Sequence, residues 1–351
     1  MAIYTENEPL ERLKTAYQTK RLFLALGSGV SKESNLPNWE ELIKRLMLKA
    51  YKEKSEMILD TLKTEGYSLP AIASVVENKL GSENFSEHIR EAIYQHFHFF
   101  KKEPDPDELI KFIQDNNLTM RSVASLCVIK KDGYFVANPH IRAIANFNMD
   151  SVLRAYVRFR YNNPGITKPR DARFNPIRTI ERPSNLPITD RLSIYQMHGY
   201  LRFEKDAIRK LAKESPDLRV FTEQEYFNFF SQPNNIFTYT FLHLLREHSC
   251  LFIGVSMNDD NIRRLLHYSK TETVESFEKE GIDNPLESRK KAIFRHFTIQ
   301  KEIDPEIKEV IEKSLWRLGV YAIWVKKFED IDKLLKELYE STGEYNWEEI
   351  F

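Results

Sequence analysis

Residues 22–31 read "LFLALGSGVS", an apolar run that stops at two glycines flanking a serine. The run has the composition of a strand buried on both faces, and the turn after it is nearly bare backbone at Gly27 and Gly29. At the end of a strand, such a turn lets backbone N–H groups approach a phosphate, whose charge also suits the start of the next helix. A nucleotide is therefore the leading ligand, with a tight strand-to-helix connection as the plain alternative. The dehydrogenase fingerprint is incomplete, because position 32 is lysine where a third glycine belongs. No acidic residue closes a second strand about 20 residues further on. The NTPase phosphate loop fails too, since "GSGVSKES" lacks a glycine before its lysine.

Outward from this stretch, further apolar or β-branched runs read as strands: residues 141–145, 193–197, 250–254, 292–299 and 320–325. Their wide spacing, with helical patterns between, predicts an α/β protein with a parallel sheet covered on both faces. In "NLPNWEELIKRLM", Asn38 and Glu41 fit a capped helix start, and Trp39, Leu42, Ile43, Leu46 and Met47 form one apolar stripe. "FTEQEYFNFF" repeats the device with Thr222 and Glu225. Residues 52–128 show no strand and read as a helical insertion inside a single domain that spans 1–351. Residues 162–191 hold five prolines together with Lys168, Arg170, Arg173, Arg178, Arg182 and Arg191. They read as an irregular loop, either solvated or a lid beside a site. Residues 276–291 read as a charged surface connection.

Three polar clusters stand directly after strand runs. "NFNMD" supplies Asn148 and Asp150, "HGYL" supplies His198 and Gly199, and "GVSMNDDN" supplies Gly254, Ser256, Asp259 and Asn261. In an open α/β sheet, ligands bind outside the carboxyl ends of the strands, so with the 27–31 turn four such clusters describe one crevice. Singly, each has an ordinary reading: Asp150 as the cap of the helix "DSVLRAY", His198 as a core histidine.

Composition removes several classes. Lys and Arg total 52 against 52 Asp and Glu, so no net field gathers the chain onto nucleic acid or an anionic membrane. No apolar run approaches the roughly 18 residues of a membrane span, and no signal layout opens the chain, which places it in the cytoplasm. The two cysteines, Cys127 and Cys250, stand far apart in apolar stretches, as buried small hydrophobes do. His96 and His98, read as two apart on a helix, point to different faces, and His243, His248 and His267 lack ligand spacing, so no metal site is proposed. The 23 Phe and 16 Tyr fill the core.

In order, "GSGVSKESNLP", "NFNMD", "HGYL" and "GVSMNDD" resemble the sirtuin superfamily of NAD-consuming enzymes, over about residues 20–340. The resemblance implies a Rossmann-like core in which Gly27, Ser28, Gly29 and Ser31 line the dinucleotide phosphates. It further implies that Asn148 and Asp150 face the nicotinamide ribose and that His198 is the catalytic base. Gly199 belongs to the histidine motif, and Gly254, Ser256, Asp259 and Asn261 border the adenosine half. Deacylating sirtuins carry a four-cysteine zinc ribbon after the histidine motif, whereas this chain has no CxxC. They also carry a Phe-Arg pair where this chain has "PNWEEL", and an alanine where it has Ser28. It looks more like the zinc-less sirtuin-like effectors of bacterial antiphage defence, which destroy NAD in abortive infection.

The chemistry suits these residue types. Nicotinamide leaves the ribose as a neutral base from a cationic ring, so an enzyme need only orient the dinucleotide, stabilise an oxocarbenium-like transition state and supply a nucleophile. A histidine with an ordinary pKa near 6.5 can take a proton from water at neutral pH. Asn148 can hold that water or the carboxamide without adding charge. The expectation is an NAD glycohydrolase with NAD as substrate. The alternatives are an NAD-dependent protein deacylase and a regulatory module that binds NAD or ADP-ribose without turnover. With only "STGEYNWEEIF" beyond the core, control is expected in trans, through self-assembly into a homo-oligomer, a HerA-type translocase, an Argonaute-like protein or a phage component.

Overall fold

A computed structural model describes residues 7–102, 105–161, 176–181, 187, 190–203, 219–231, 236–279 and 292–351. In chain order, helix α1 (Glu8–Gln18) leads into β1 (Leu22–Leu26). After two short 3-10 turns come α2 (Trp39–Tyr51), α3 (Ser55–Thr64), α4 (Leu69–Leu80), α5 (Phe85–Tyr94), α6 (Pro106–Asn116) and α7 (Leu118–Leu126). The hairpin β2 (Val128–Lys131) and β3 (Tyr134–Ala137) precedes β4 (Ile141–Asn146) and α8 (Val152–Arg160). Next are β5 (Ile177–Ile180), β6 (Leu192–Gln196), α9 (Glu223–Ser231), α10 (Ile236–Glu247), β7 (Ser249–Ile253) and α11 (Asp260–Lys279). The chain closes with β8 (His296–Lys301), α12 (Pro305–Trp316), β9 (Val320–Val325) and α13 (Asp330–Glu340).

Seven strands form one sheet in the order β5-β6-β4-β1-β7-β8-β9, every pair parallel. This is the α/β, Rossmann-like architecture expected. β1 shows why both faces must be covered: all five of its residues are buried. Leu22, Leu24 and Leu26 pack with α2, α4, α5, α7 and α8 on one face. Phe23 and Ala25 pack with α10 and α11 on the other. Side chains alternate along a strand, and each buried Leu or Phe contributes roughly 1.5–3 kcal/mol.

The secondary structure differs from the sequence expectation in four places. β5 lies inside the Pro- and Arg-rich stretch expected to be a loop, with Pro176 just before it at the sheet's outer edge, where a missing N–H costs no ladder bond. Residues 162–175, 182–186, 188 and 189 of that stretch, with Lys168, Arg170, Arg173 and Arg182, lie outside the described residues. β8 begins at His296, not Ala292, and an unexpected hairpin, β2–β3, follows directly on the helical stretch, starting at its last residue, Val128. α11 continues to Lys279, through the start of the expected surface connection, whose remainder from 280 lies outside the described residues. Among the described residues no helix is long and apolar enough to cross a membrane.

The direction in which strands are added to the sheet reverses at β1. The chain places β4, β5 and β6 on one side of it and then β7, β8 and β9 on the other, which makes the β1/β7 boundary the topological switch point.

Candidate active site

Register brings the four clusters together. Leu26 is level with Asn146 and with Ile253, and Asn146 is level with Gln196. Ladder-like bonds continue one step further, from Gly27 N to Ile253 O, Phe147 N to Leu26 O and Met197 N to Asn146 O. Four neighbouring strands therefore end at one height. The polar residues after them share one edge of the sheet.

The two glycines of the opening stretch meet a third glycine. Gly29 N donates to Gly254 O at 3.0 Å. A Cβ on Gly27 would lie 2.4 Å from Gly254 O, and one on Gly29 would lie 2.6 Å from Gly254 Cα. Gly254 itself has φ +65°. The turns after β1 and β7 are thus interlocked backbone to backbone at the switch point, which accounts for all three glycines without a ligand. Ser28 and Gly29 keep a half-exposed side, and it is there that a dinucleotide would meet this turn.

Two residues expected to face the ligand are committed to the protein. Ser31 is buried and its hydroxyl donates to Asp150 Oδ2 at 2.8 Å, while Asp150 Oδ1 accepts from Val152 N at 3.0 Å. Asp150, one residue before the N-cap Ser151, therefore holds the first N–H of α8 and ties it to the turn after β1, with Ser31 as its anchor. Burial pushes the Asp150 carboxyl above its usual range, against the Ser31 and Val152 hydrogen bonds. Asn148 belongs to the same knot: its amide nitrogen donates to Gly27 O at 2.9 Å and to Ser31 Oγ at 3.4 Å. Asn146, absent from the sequence reading, holds Gln196 Oε1 at 2.8 Å and Asn148 O at 3.2 Å. The signal for both Asn146 and Gln196 is present in the sequence, as polar residues closing apolar strands.

His198 comes two residues after β6 and is 6% exposed. Its ring lies edge-on to Phe147 and Phe229, with centroids 5.2 and 6.2 Å away, and 5.8 Å from Tyr226. Its Nε2 is buried with no hydrogen-bond partner among the described residues. Burial holds its pKa below 6.5, only partly opposed by the Asp259 carboxylate. A neutral imidazole at pH 7 with an unclaimed nitrogen is what a proton acceptor requires.

Across the switch point, Asp259 Oδ1 caps α11 through Ile262 N at 3.1 Å, and the Asp259 carboxylate also accepts from the Tyr226 hydroxyl. Ser256 is exposed, and its hydroxyl accepts from Asn258 N at 3.4 Å. Asn261 is 1% exposed, yet both polar atoms of its amide lack partners among the described residues. Gly199 takes φ +94°, turning the chain away after the histidine. Orphaned polar atoms at His198, just after β6, and at Asn261, in the first turn of α11, fit a ligand that spans the crevice. Residues 142–282 match the family model of the SIR2-like domain. That stretch is similar to the domain of sirtuin-like proteins, and NAD is the substrate that such a domain implies. The matched span of the SIR2-like domain contains "NFNMD", "HGYL" and "GVSMNDDN", while the 27–31 turn precedes it. No curated protein matches the chain.

The other histidines stand apart from this edge. His96 and His98 are exposed beyond the end of α5, with His98 against Phe99 and Phe112. No cluster of three or more potential metal ligands occurs among the described residues. Both cysteines are buried and unpaired.

Proposed function

We propose that the chain is an NAD glycohydrolase, and that His198 is the base. The observation that carries this reading is the buried, neutral His198 with its free Nε2, set at the same sheet edge as the Asn148 knot and the SIR2-like motifs. In this reading Nε2 accepts a proton from water as the water oxygen bonds the ribose carbon and nicotinamide leaves as a neutral base. Asn148 positions the reacting groups. Ser28, Gly29, Ser256 and Asn261 meet the dinucleotide along the β1/β7 crevice. Asp150 and Ser31 act indirectly, by holding the Asn148 loop.

A deacylase reading has less support, since the chain lacks the cysteines of a zinc ribbon. Binding without turnover is favoured by one observation, the commitment of Ser31 and Asp150 to each other. Incubating the purified chain with NAD, with and without an acyl-lysine peptide, separates the three. Nicotinamide and ADP-ribose, linear or cyclic, appearing without peptide support the glycohydrolase, peptide-dependent release supports the deacylase, and retained but uncut NAD supports the binding module or a repressed effector. Such an enzyme must be held off until needed. We place it as the effector of an antiphage system, controlled in trans by self-assembly or by a translocase, an Argonaute-like protein or a phage component.

A further inference from the structure

Helix α9 is nine residues long, shorter than an isolated helix that holds itself in water. Yet it carries Tyr226 and Phe229, two of the rings that surround His198. What seats it is a clasp. The Arg219 guanidinium donates to Glu225 at 2.6 Å on α9, to Glu77 at 2.8 Å on α4 and to Ser86 Oγ on α5, while stacking on Phe85. Glu225 also accepts from the backbone of Phe221 and Thr222, both at 2.9 Å, and Glu223 N donates to Ser74 on α4. Trp39, the first residue of α2, packs its ring 4.5 Å from Phe221 and 6.3 Å from Tyr226. One step beyond the clasp, Val220 N donates to His198 O at 3.1 Å.

The clasp is mostly buried, with side chains of Arg219, Glu77 and Glu225 only 11%, 19% and 22% exposed. A buried ion pair is poor evidence for stability, because desolvation offsets the attraction, and its best-attested use is to fix one arrangement among several. Here the arrangement fixed is the approach of α9 to the histidine.

Resting on the glycohydrolase reading for its activity arm, we propose that Arg219 is a positioning residue. By locking α9 onto the helical layer of α4 and α5, it keeps Tyr226 against His198 and on Asp259.

The test uses Arg219→Met, which keeps the aliphatic stem over Phe85, together with Tyr226→Phe and the double variant. Nicotinamide release from NAD is monitored well below the melting temperature, alongside the His198 imidazole resonance without NAD, assigned by its loss in His198→Ala. Each single change should lower kcat on the order of tenfold, with KM nearly unchanged, as a small misplacement of a catalytic group does. The double variant should fall no further than the worse single, and the His198 resonance should move in both singles. Should Arg219→Met not fold, Glu225→Gln keeps the helix cap while weakening the clasp and should behave alike. Losses that multiply, or a lowered melting temperature with kcat and the resonance unmoved, would overturn the proposal. A wild-type chain that binds no NAD would sink the glycohydrolase reading alone, and one that binds NAD uncut would remove only the activity arm; in both cases the resonance would still decide the role of Arg219.

Discussion

The meaning of Gly27, Gly29 and Gly254 changes between sequence and structure, because spacing along the chain does not show which backbone a glycine approaches. Gly29→Ala puts a methyl group against Gly254 Cα, backbone against backbone, so neither side can yield by a rotamer change. It should destabilise the fold by about 1–3 kcal/mol, measured as a fall in the urea midpoint with an unchanged slope. An unchanged midpoint would mean that the two turns are not interlocked. At His198, burial opposes charging and favours the neutral form. If His198 is the base, kcat/KM should stay flat from pH 8 down to about 6.5 and decline only below it. A decline that begins well above 6.5 would assign the limb to another group.

Among the elements, those with an uninterrupted apolar signal are legible: β1 matches its apolar run residue for residue, and β9 likewise. Asn38 accepts from Glu41 N at 2.9 Å, as the capped start of α2 requires. Asn38→Ala should therefore cost about 1 kcal/mol of stability, checked by thermal melting, and a neutral change would deny the cap. The β2–β3 hairpin escapes the apolar pattern although its turn carries a signal, Asp132 and Gly133 at φ +51° and +83°, the Asp-Gly pair of a two-residue hairpin. β5 is hidden by flanking prolines, which are tolerated at an edge. α9 is visible as a capped helix, but its role is not: "FTEQEYFNFF" shows a turn signal and aromatics, while the pairing of Glu225 with Arg219 and of Tyr226 with Asp259 depends on chain return through three dimensions. Clusters after strands are the most legible part of the site, because a parallel sheet forces all its carboxyl ends to one side. Which of them are anchors, as Ser31 and Asp150 are, depends on side-chain direction.

At the scale of the whole molecule, a sheet covered on both faces buries ionisable groups wherever they fall. His198 and His296 are both buried, and burial holds both pKa values below 6.5, that of His296 furthest. Between those folded values and 6.5 the unfolded chain binds more protons, so stability is full above about 6.5 and falls as pH drops through the window. Asp150, raised above 3.8, works in the opposite sense at lower pH, where the folded chain retains its proton longer. The urea midpoint should therefore be lower at pH 5.5 than at pH 7.5; an equal or higher midpoint would show that these imidazoles are not buried neutral. The same sheet gathers four strand ends into one crevice, and the central claim is that this edge cleaves NAD with His198 as base. The most direct measurement is nicotinamide release by wild type and by His198→Ala, each checked for fold by circular dichroism and for NAD binding by calorimetry. The account expects His198→Ala to fold, to bind NAD and to release nicotinamide at least about 100-fold more slowly. A folded, NAD-binding His198→Ala that turns over at the wild-type rate would contradict it.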